Sequence, residues 1–255
     1  MTINSLLNWK SENEFSISGV NFLSTNDPKI YHHYESTDSG FLLVKSRSML
    51  ECALDTVREL SVRNMVDIGI WQGGSVAFFD LMLTPSKLVA LEFSDRDIPA
   101  LDNYIYFSGR TSNVRLHKGV NQADSFRLQQ IVRAEFNGDP IDLVIDDASH
   151  FYEETCASFD VLFPSLREGG KFIIEDWQWS TNAEVAKSDY FDGKPGLSNL
   201  VLQCMLLCAT HPDIIESVTI HPHMAIVTRG AATDLKAFSI MNMARNRGTP
   251  IPLFL

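Results

Sequence analysis

Five short runs rich in Val, Ile and Leu, at Met65–Ile70, Lys87–Phe93, Val114–Val120, Ile141–Asp147 and Lys171–Asp176, are separated by stretches long enough to hold a helix. Parallel strands need such crossovers, so the alternation predicts βαβ units and a mostly parallel sheet with helices on its faces. Helices are expected over Ser46–Leu60, where Met49, Ala53, Val57 and Leu60 share a face, and over Ser75–Leu83, Ala123–Phe136 and Phe151–Leu166, the last shortened by Pro164. After the fifth run the pattern changes: Asn199–Ala209 reads as a buried helix, and Ser217–Ile220 and Ala225–Arg229 read as strands around Pro222. So short a link excludes a parallel crossover and makes the pair an antiparallel hairpin at the sheet edge. The expected fold class is therefore α/β, with five parallel strands plus an edge antiparallel hairpin, flanked by helices.

The texture divides the chain into three zones. Residues 1–45 mix aromatic and polar side chains, Tyr31, His32, His33 and Tyr34 among them, without sustained periodicity, and are expected to form a cap or arm with no fold of its own. Residues 46–230 carry the α/β pattern, and residues 231–255 read as a tail. Exposed aromatics in the first zone and the apolar end Ile251-Pro-Leu-Phe-Leu255 point to a contact between copies, so a homo-oligomer is expected.

Charge narrows the partners. Lys and Arg number 21 against 32 Asp and Glu, a net charge of −11, which argues against a nucleic acid or an anionic membrane surface and for a small-molecule partner. No apolar stretch is long enough to span a bilayer, and Lys10, Glu12 and Glu14 interrupt the first apolar patch before a signal core forms, so a cytoplasmic protein is expected. Cys52, Cys156, Cys204 and Cys208 sit in apolar, helix-like contexts where a thiol behaves as a small hydrophobe. The Cys204 and Cys208 spacing lacks the second ligand pair of a zinc site.

The segment Val66-Asp67-Ile68-Gly69-Ile70-Trp71-Gln72-Gly73-Gly74-Ser75 ends the first strand and opens a helix. Its glycines let a ligand approach the backbone, and free N–H groups at the helix start favour an anionic group. The spacing Gly-x-x-x-Gly-Gly lacks the middle glycine that a dinucleotide pyrophosphate requires. Asp67 would repel phosphates and pair with an amine, as S-adenosylmethionine carries, and Glu92 at the end of the second strand suits ribose hydroxyls. Asp124, after the third strand, is a further candidate near the adenine. The competing reading is a tight turn with an incidental surface glutamate.

Asp146-Asp147-Ala148-Ser149-His150 closes the fourth strand and Glu175-Asp176-Trp177 the fifth, placing two acidic groups at the carboxyl edge of neighbouring strands, where open α/β sheets bind ligands. Neither motif holds a Lys or Arg to pay for burying carboxylates, so a cation is the natural partner. Oxygen ligands select Mg²⁺ or Mn²⁺, which Asp147, Glu175 and Asp176 would hold. Such an ion lowers the pKa of a chelated hydroxyl, and His150 has the chemistry to remove the proton near neutral pH. Against this stands a structural reading in which Asp146 or Asp147 caps the next helix and His150 is a packed surface residue. Trp177 and Trp179 are core aromatics or walls of an acceptor pocket; His221 and His223, flanking Pro222, read as surface loop residues.

Together, Asp67-Ile-Gly-x-x-x-Gly-Gly-Ser75, Ile145-Asp-Asp-Ala-Ser-His150 and Ile174-Glu-Asp176 resemble class I S-adenosylmethionine-dependent methyltransferases. More narrowly, they resemble the Mg²⁺-dependent sugar O-methyltransferases of macrolide biosynthesis and the related cephalosporin-hydroxylase-like group. The resemblance spans about residues 46–230 and implies a Rossmann-like sheet, metal ligation by Asp147, Glu175 and Asp176, and His150 as general base. It also implies S-adenosylmethionine bound through Asp67, Gly69, Gly73, Gly74, Ser75 and Glu92. Family members usually carry Glu at the Asp67 position and often Gly at Ala148, and the first zone shows no match to the family's acceptor-binding part. The expected function is methyl transfer to a hydroxyl of a sugar or vicinal diol. A catechol-type methyltransferase or hydroxylase on the same scaffold is the first alternative, and a non-catalytic cofactor-binding scaffold the second.

Overall fold

The computed structural model describes residues 6–254, in two compact units that divide between Gly119 and Val120. In the first unit the chain begins with β1 (Asn8–Trp9), β2 (Glu14–Ile17), β3 (Val20–Ser24), the short helix α1 (Pro28–Tyr31) and β4 (Gly40–Leu43). β1, β2 and β3 form an antiparallel meander, and β4 adds to β3 in parallel. This corrects the expectation of an arm without its own fold. The strands are too short for periodicity to show, and the Ser18-Gly19 turn, both residues at positive φ, joins β2 to β3. Phe15 stacks on Phe22 at 5.0 Å, and Phe78 meets both edge-on, so the small sheet buries its face on the helix that carries Phe78.

That helix is α3 (Gly74–Leu83), which follows α2 (Arg47–Val57) and β5 (Asn64–Ile68). Ser46 caps α2 through its hydroxyl. Then come β6 (Lys87–Leu91), α4 (Pro99–Phe107) and β7 (Val114–His117), with β5, β6 and β7 parallel. α4 was absent from the sequence reading; Pro99 opens it, and it buries only Ala100, Leu101 and Ile105, too few to show a period.

The second unit holds α5 (Ser125–Phe136), β8 (Ile141–Asp146), α6 (Tyr152–Leu162), β9 (Leu166–Glu175), α7 (Ala183–Ala186), α8 (Ser198–Thr210), β10 (Ile215–Ile220) and β11 (Met224–Arg229). A short helix α9 (Ile240–Met243) and the pair β12 (Arg245–Asn246) and β13 (Thr249–Pro250) follow. β8 and β9 are parallel, β11 lies antiparallel on β9, and β10 pairs with β11 at the end of the strand order, giving the expected edge hairpin. Five strands thus run in parallel sets, three in one unit and two in the other, with helices around them. Every residue of β8 and β11 is buried, whereas β10 exposes most of its length, as an edge strand does. α6 stops at Leu162 and Pro164 sits in a tighter turn, the shortening expected of it. β9 starts earlier than the sequence suggested because Gly169-Gly170 reads as a turn yet lies inside the strand beside a register shift. A Cβ on Gly170 would come within 2.9 Å of the Arg167 carbonyl oxygen. No helix among the described residues is long and apolar enough to cross a membrane.

Candidate functional site

In the first unit the loop from Ile68 to Gly74 leaves the end of β5 and turns into α3. Gly69 and Gly73 hold φ of 84° and 81°, and Trp71 between them is also left-handed at 44°. The Gly73 N–H donates to the Ile70 carbonyl at 2.7 Å, closing the turn. A Cβ at Gly73 would lie 2.8 Å from Leu101 Cβ, and one at Gly74 only 1.9 Å from the Leu42 carbonyl oxygen, so close packing alone demands glycine at both positions.

The polar residues of this loop carry more information. Glu92, nearly buried past the end of β6, accepts the Trp71 N–H through Oε2 at 2.8 Å and the Ser94 N–H through Oε1 at 3.0 Å. Both oxygens are fixed in direction and keep lone pairs for a diol donor such as ribose. Ser75 Oγ, in the first turn of α3, is shut off from solvent and has no hydrogen-bond partner, an opening for a polar ligand atom at a helix start. Asp67 is buried inside β5. Arg96 donates to the Trp71 carbonyl, and Gln72 grips the segment before β4, accepting from Ser36 N–H at 2.6 Å and donating to the Tyr34 carbonyl. A cavity of about 200 Å³ lies there, lined by Glu35, Ser36, Gln72, Arg96 and residues 97–100.

In the second unit Asp147, His150 and Asp176 come together: one ligand atom from each lies within 4.8 Å of the others. His150 Nε2 is 3.9 Å from Asp147 Oδ1, with the two side chains 11% and 25% exposed. His150 at φ 57° and Asp176 at φ 54° are both left-handed, a conformation that costs a non-glycine residue free energy and is held only by its surroundings. Glu175, the last residue of β9, is buried outside this cluster, so the third carboxylate of the expected metal set is not among the atoms brought together.

Neither Asp146 nor Asp147 caps α6. The Ser149 hydroxyl takes the Phe151 N–H, and Asp146 turns into the core to accept from Ser158 Oγ at 2.7 Å and from Gln122 Nε2. Burial pushes the Asp146 carboxyl up to about 6. Gln122 also accepts the Ser149 N–H, so this glutamine steadies the turn leading to His150, a role that residue type and spacing do not reveal. Asp124 is an exposed N-cap whose carboxylate accepts the Arg127 N–H at 2.9 Å; the Asp-Ser start of α5 explains that residue locally.

The cluster opens on a cavity of about 430 Å³ lined by His150, Asp176, Trp179, Phe191, Lys194 and Phe254 among others. Trp179 packs on the His150 ring at 4.6 Å and Phe191 meets Trp179 edge-on. Of the two tryptophans, Trp179 is therefore the wall, while Trp177 donates its ring N–H to the His221 carbonyl. Phe254 is tied down by Asn199, which donates to the Phe254 carbonyl and accepts its N–H, both at 2.8 Å. That places Phe254 of the apolar tail at this cavity; Leu255 lies outside the described residues.

Residues 66–177 match the model of a methyltransferase domain family, a stretch that runs from the glycine loop through both acidic motifs. Demethylmacrocin O-methyltransferase of Streptomyces fradiae is 43% identical over 63 residues, 25% of this chain and 16% of that protein. The 8-demethyl-8-alpha-L-rhamnosyl tetracenomycin-C 2'-O-methyltransferase of Streptomyces olivaceus is 40% identical over 67 residues, 26% of this chain and 17% of that protein. Among solved structures, the MycE methyltransferase of the mycinamycin pathway, in complex with Mg, SAH and mycinamycin VI, superposes with a TM-score of 0.53 at 24% identity, covering 75% of this chain and 50% of that one. The matches span less than a fifth of these curated relatives and half of the solved chain. Residues 66–177 thus match a methyltransferase domain, the fold is that of class I methyltransferases, and over the matched part the chain is similar to the sugar O-methyltransferases of the macrocin and mycinamicin type.

Proposed function

We propose that this protein is an S-adenosylmethionine-dependent, divalent-cation-assisted O-methyltransferase that acts on a hydroxyl of a sugar or vicinal diol in a small natural product. The observation that carries the reading is the convergence of Asp147, His150 and Asp176 beside a cavity walled by aromatic side chains. The two carboxylates suit Mg²⁺ or Mn²⁺, which take oxygen ligands, and leave the imidazole free to act as a base. Asp147 and Asp176 would hold the ion, with Glu175 the third ligand assigned from its place in the motif. A cation there would lower the pKa of a chelated hydroxyl. The cofactor supplies a methyl group on a sulfonium sulfur. Glu92, its oxygens aimed by two main-chain N–H groups, and Ser75, with its unpartnered hydroxyl, fit the ribose and a polar group of that ligand.

His150 would take the acceptor's proton at a ring nitrogen while Trp179 holds the ring in place. His150 would hold that proton while the acceptor oxygen receives the methyl group, and would release it to solvent afterwards. Trp179, Phe191 and Phe254 exclude water and position the acceptor ring, so most of the rate would come from orientation. The acidic balance of the chain supports an uncharged acceptor over a nucleic acid. The aromatic wall favours one second reading, a catechol acceptor, because a planar ring packs on Trp179 as well as a sugar does.

Calorimetric titration with S-adenosylhomocysteine, with and without Mg²⁺ and repeated on Asp147→Ala, tests the ligands. Labelled methyl transfer to a panel of glycosides and catechols then tests the acceptor. Cofactor binding with a cation site lost in the variant supports the reading, and absence of cofactor binding in either condition removes it. Association of copies is part of the same proposal, and light scattering of the purified chain decides it.

A further inference from the structure

We infer that Gln178, held in place by His223, is a positioning residue that orients the Asp176 carboxylate toward a bound divalent cation; the inference rests on the reading of Asp147 and Asp176 as a cation site. Gln178 Nε2 lies 3.0 Å from His223 Nδ1 and 3.4 Å from Asp176 Oδ1. An ionised carboxylate only accepts, so the amide must turn its NH₂ edge, which has two donors, toward Asp176. The opposite flip would set Oε1 against the carboxylate. With both donors so directed, His223 Nδ1 accepts and the ring proton sits on Nε2.

This orientation has a cost that packing does not explain. Gln178 Oε1 is shut off from solvent without a partner, a loss of about 1–3 kcal/mol that an apolar side chain of the same length would avoid. What the arrangement provides is restraint on a strained ligand. Asp176 is left-handed at the start of a turn, its N–H donates to the His223 carbonyl at 2.9 Å, and the neighbouring Trp177 is pinned to His221. The main-chain carbonyls of the two histidines at the β10–β11 turn, which the sequence presents as surface loop residues, thus hold the Asp176 N–H and the indole of the next residue. Gln178 extends that hold to the side chain.

The test is Mn²⁺ binding to the purified full chain, read from the electron paramagnetic resonance signal of the free aqua ion with neither donor nor acceptor present. The wild-type chain should bind Mn²⁺ at a site abolished by Asp147→Ala. Gln178→Met and His223→Leu should each weaken binding about tenfold or more. His223→Asn, whose side-chain oxygen can accept where Nδ1 did, should return binding to within about threefold of wild type. Melting curves identify any variant that fails to fold, and if Gln178→Met is one, the two His223 variants carry the comparison. Wild-type affinity in Gln178→Met and His223→Leu would overturn the inference while leaving the cation site standing. Equal weakening in His223→Leu and His223→Asn would also overturn it, since the accepted hydrogen bond would then not be the means. A wild-type chain without a Mn²⁺ site would remove the underlying reading and the inference with it.

Discussion

Gly74→Ala asks whether packing, apart from any ligand, demands the last glycine of the loop. The added Cβ would sit 1.9 Å from the Leu42 carbonyl oxygen and 2.8 Å from its carbon, where real Cβ atoms essentially never come under 3.0 Å. Relief requires β4 or the start of α3 to move by about 1 Å. β4 is held by its parallel pairing to β3, by the Thr25 N–H on the Leu43 carbonyl and by the Leu42 N–H on Ser36 Oγ. Overpacking against so fixed a backbone costs about 3 kcal/mol, the upper end of the usual range. For a chain of this size that lowers Tm by roughly 6–12 °C. Gly109→Ala is the converse case: Gly74 is helical and meets a backbone oxygen, whereas Gly109 is left-handed, at φ 70°, and a Cβ there meets nothing within 4 Å. It should lose only the conformational cost, about 1 kcal/mol. Melting of both variants without ligands decides the matter, and similar Tm losses would refute the packing argument. If the argument holds, loss of cofactor binding in Gly74→Ala says nothing about ligand contact, and Glu92 and Ser75 are the positions to test.

Two other outcomes follow from particular residues. Asp146, pushed up to about 6 by burial, retains in the folded state a proton that the unfolded chain releases near pH 4. Its contribution is therefore most favourable below pH 4 and is lost as pH rises toward 6, reaching a cost of about 3 kcal/mol above that. In metal-free buffer, urea unfolding of Asp146→Asn against wild type should show an advantage for the variant that grows from pH 4 to pH 7, and a flat difference would contradict the assignment. Asn199→Ala removes both hydrogen bonds that hold Phe254 at the cavity, so acceptor KM should rise several-fold with cofactor affinity unchanged; steady-state kinetics and cofactor titration separate the two.

What the sequence displays is governed by how local its causes are. Strands buried on both faces read as unbroken apolar runs, which is why β5, β6 and β8 were legible within a residue or two, and why the ends of β8 and β9 located Asp147, His150 and Asp176. Signals that are short or masked were lost: the first sheet hides in strands of two to five residues, and Gly169-Gly170 disguises half of β9. Asp124 caps α5 through its carboxylate, a local role that the following helix displays in the sequence. The supporting residues were not legible at all, because Gln178 meets His223 across 45 positions and Asn199 meets Phe254 across 55, and no spacing rule links residues so far apart.

Backbone strain separates the functional reading of Asp176 from the structural one. Left-handed non-glycine residues are costly, and among the described residues three stand in the two candidate regions: Trp71, His150 and Asp176. If Asp176 served only to form the turn, glycine would serve better, since it adopts φ 54° without a steric penalty. Asp176→Gly and Asp176→Ala both remove the carboxylate and its contact with Gln178, so their difference isolates the backbone. Glycine should be the more stable of the two by about 1 kcal/mol, because alanine keeps the strain without the side chain's interactions. Urea unfolding without metal measures that difference, and equal stabilities would show that the position is unstrained. Strain at that site, together with loss of Mn²⁺ binding in both variants, would mean that the chain accepts a less stable backbone in order to keep a carboxylate at the end of β9, which a residue of purely structural purpose has no reason to do.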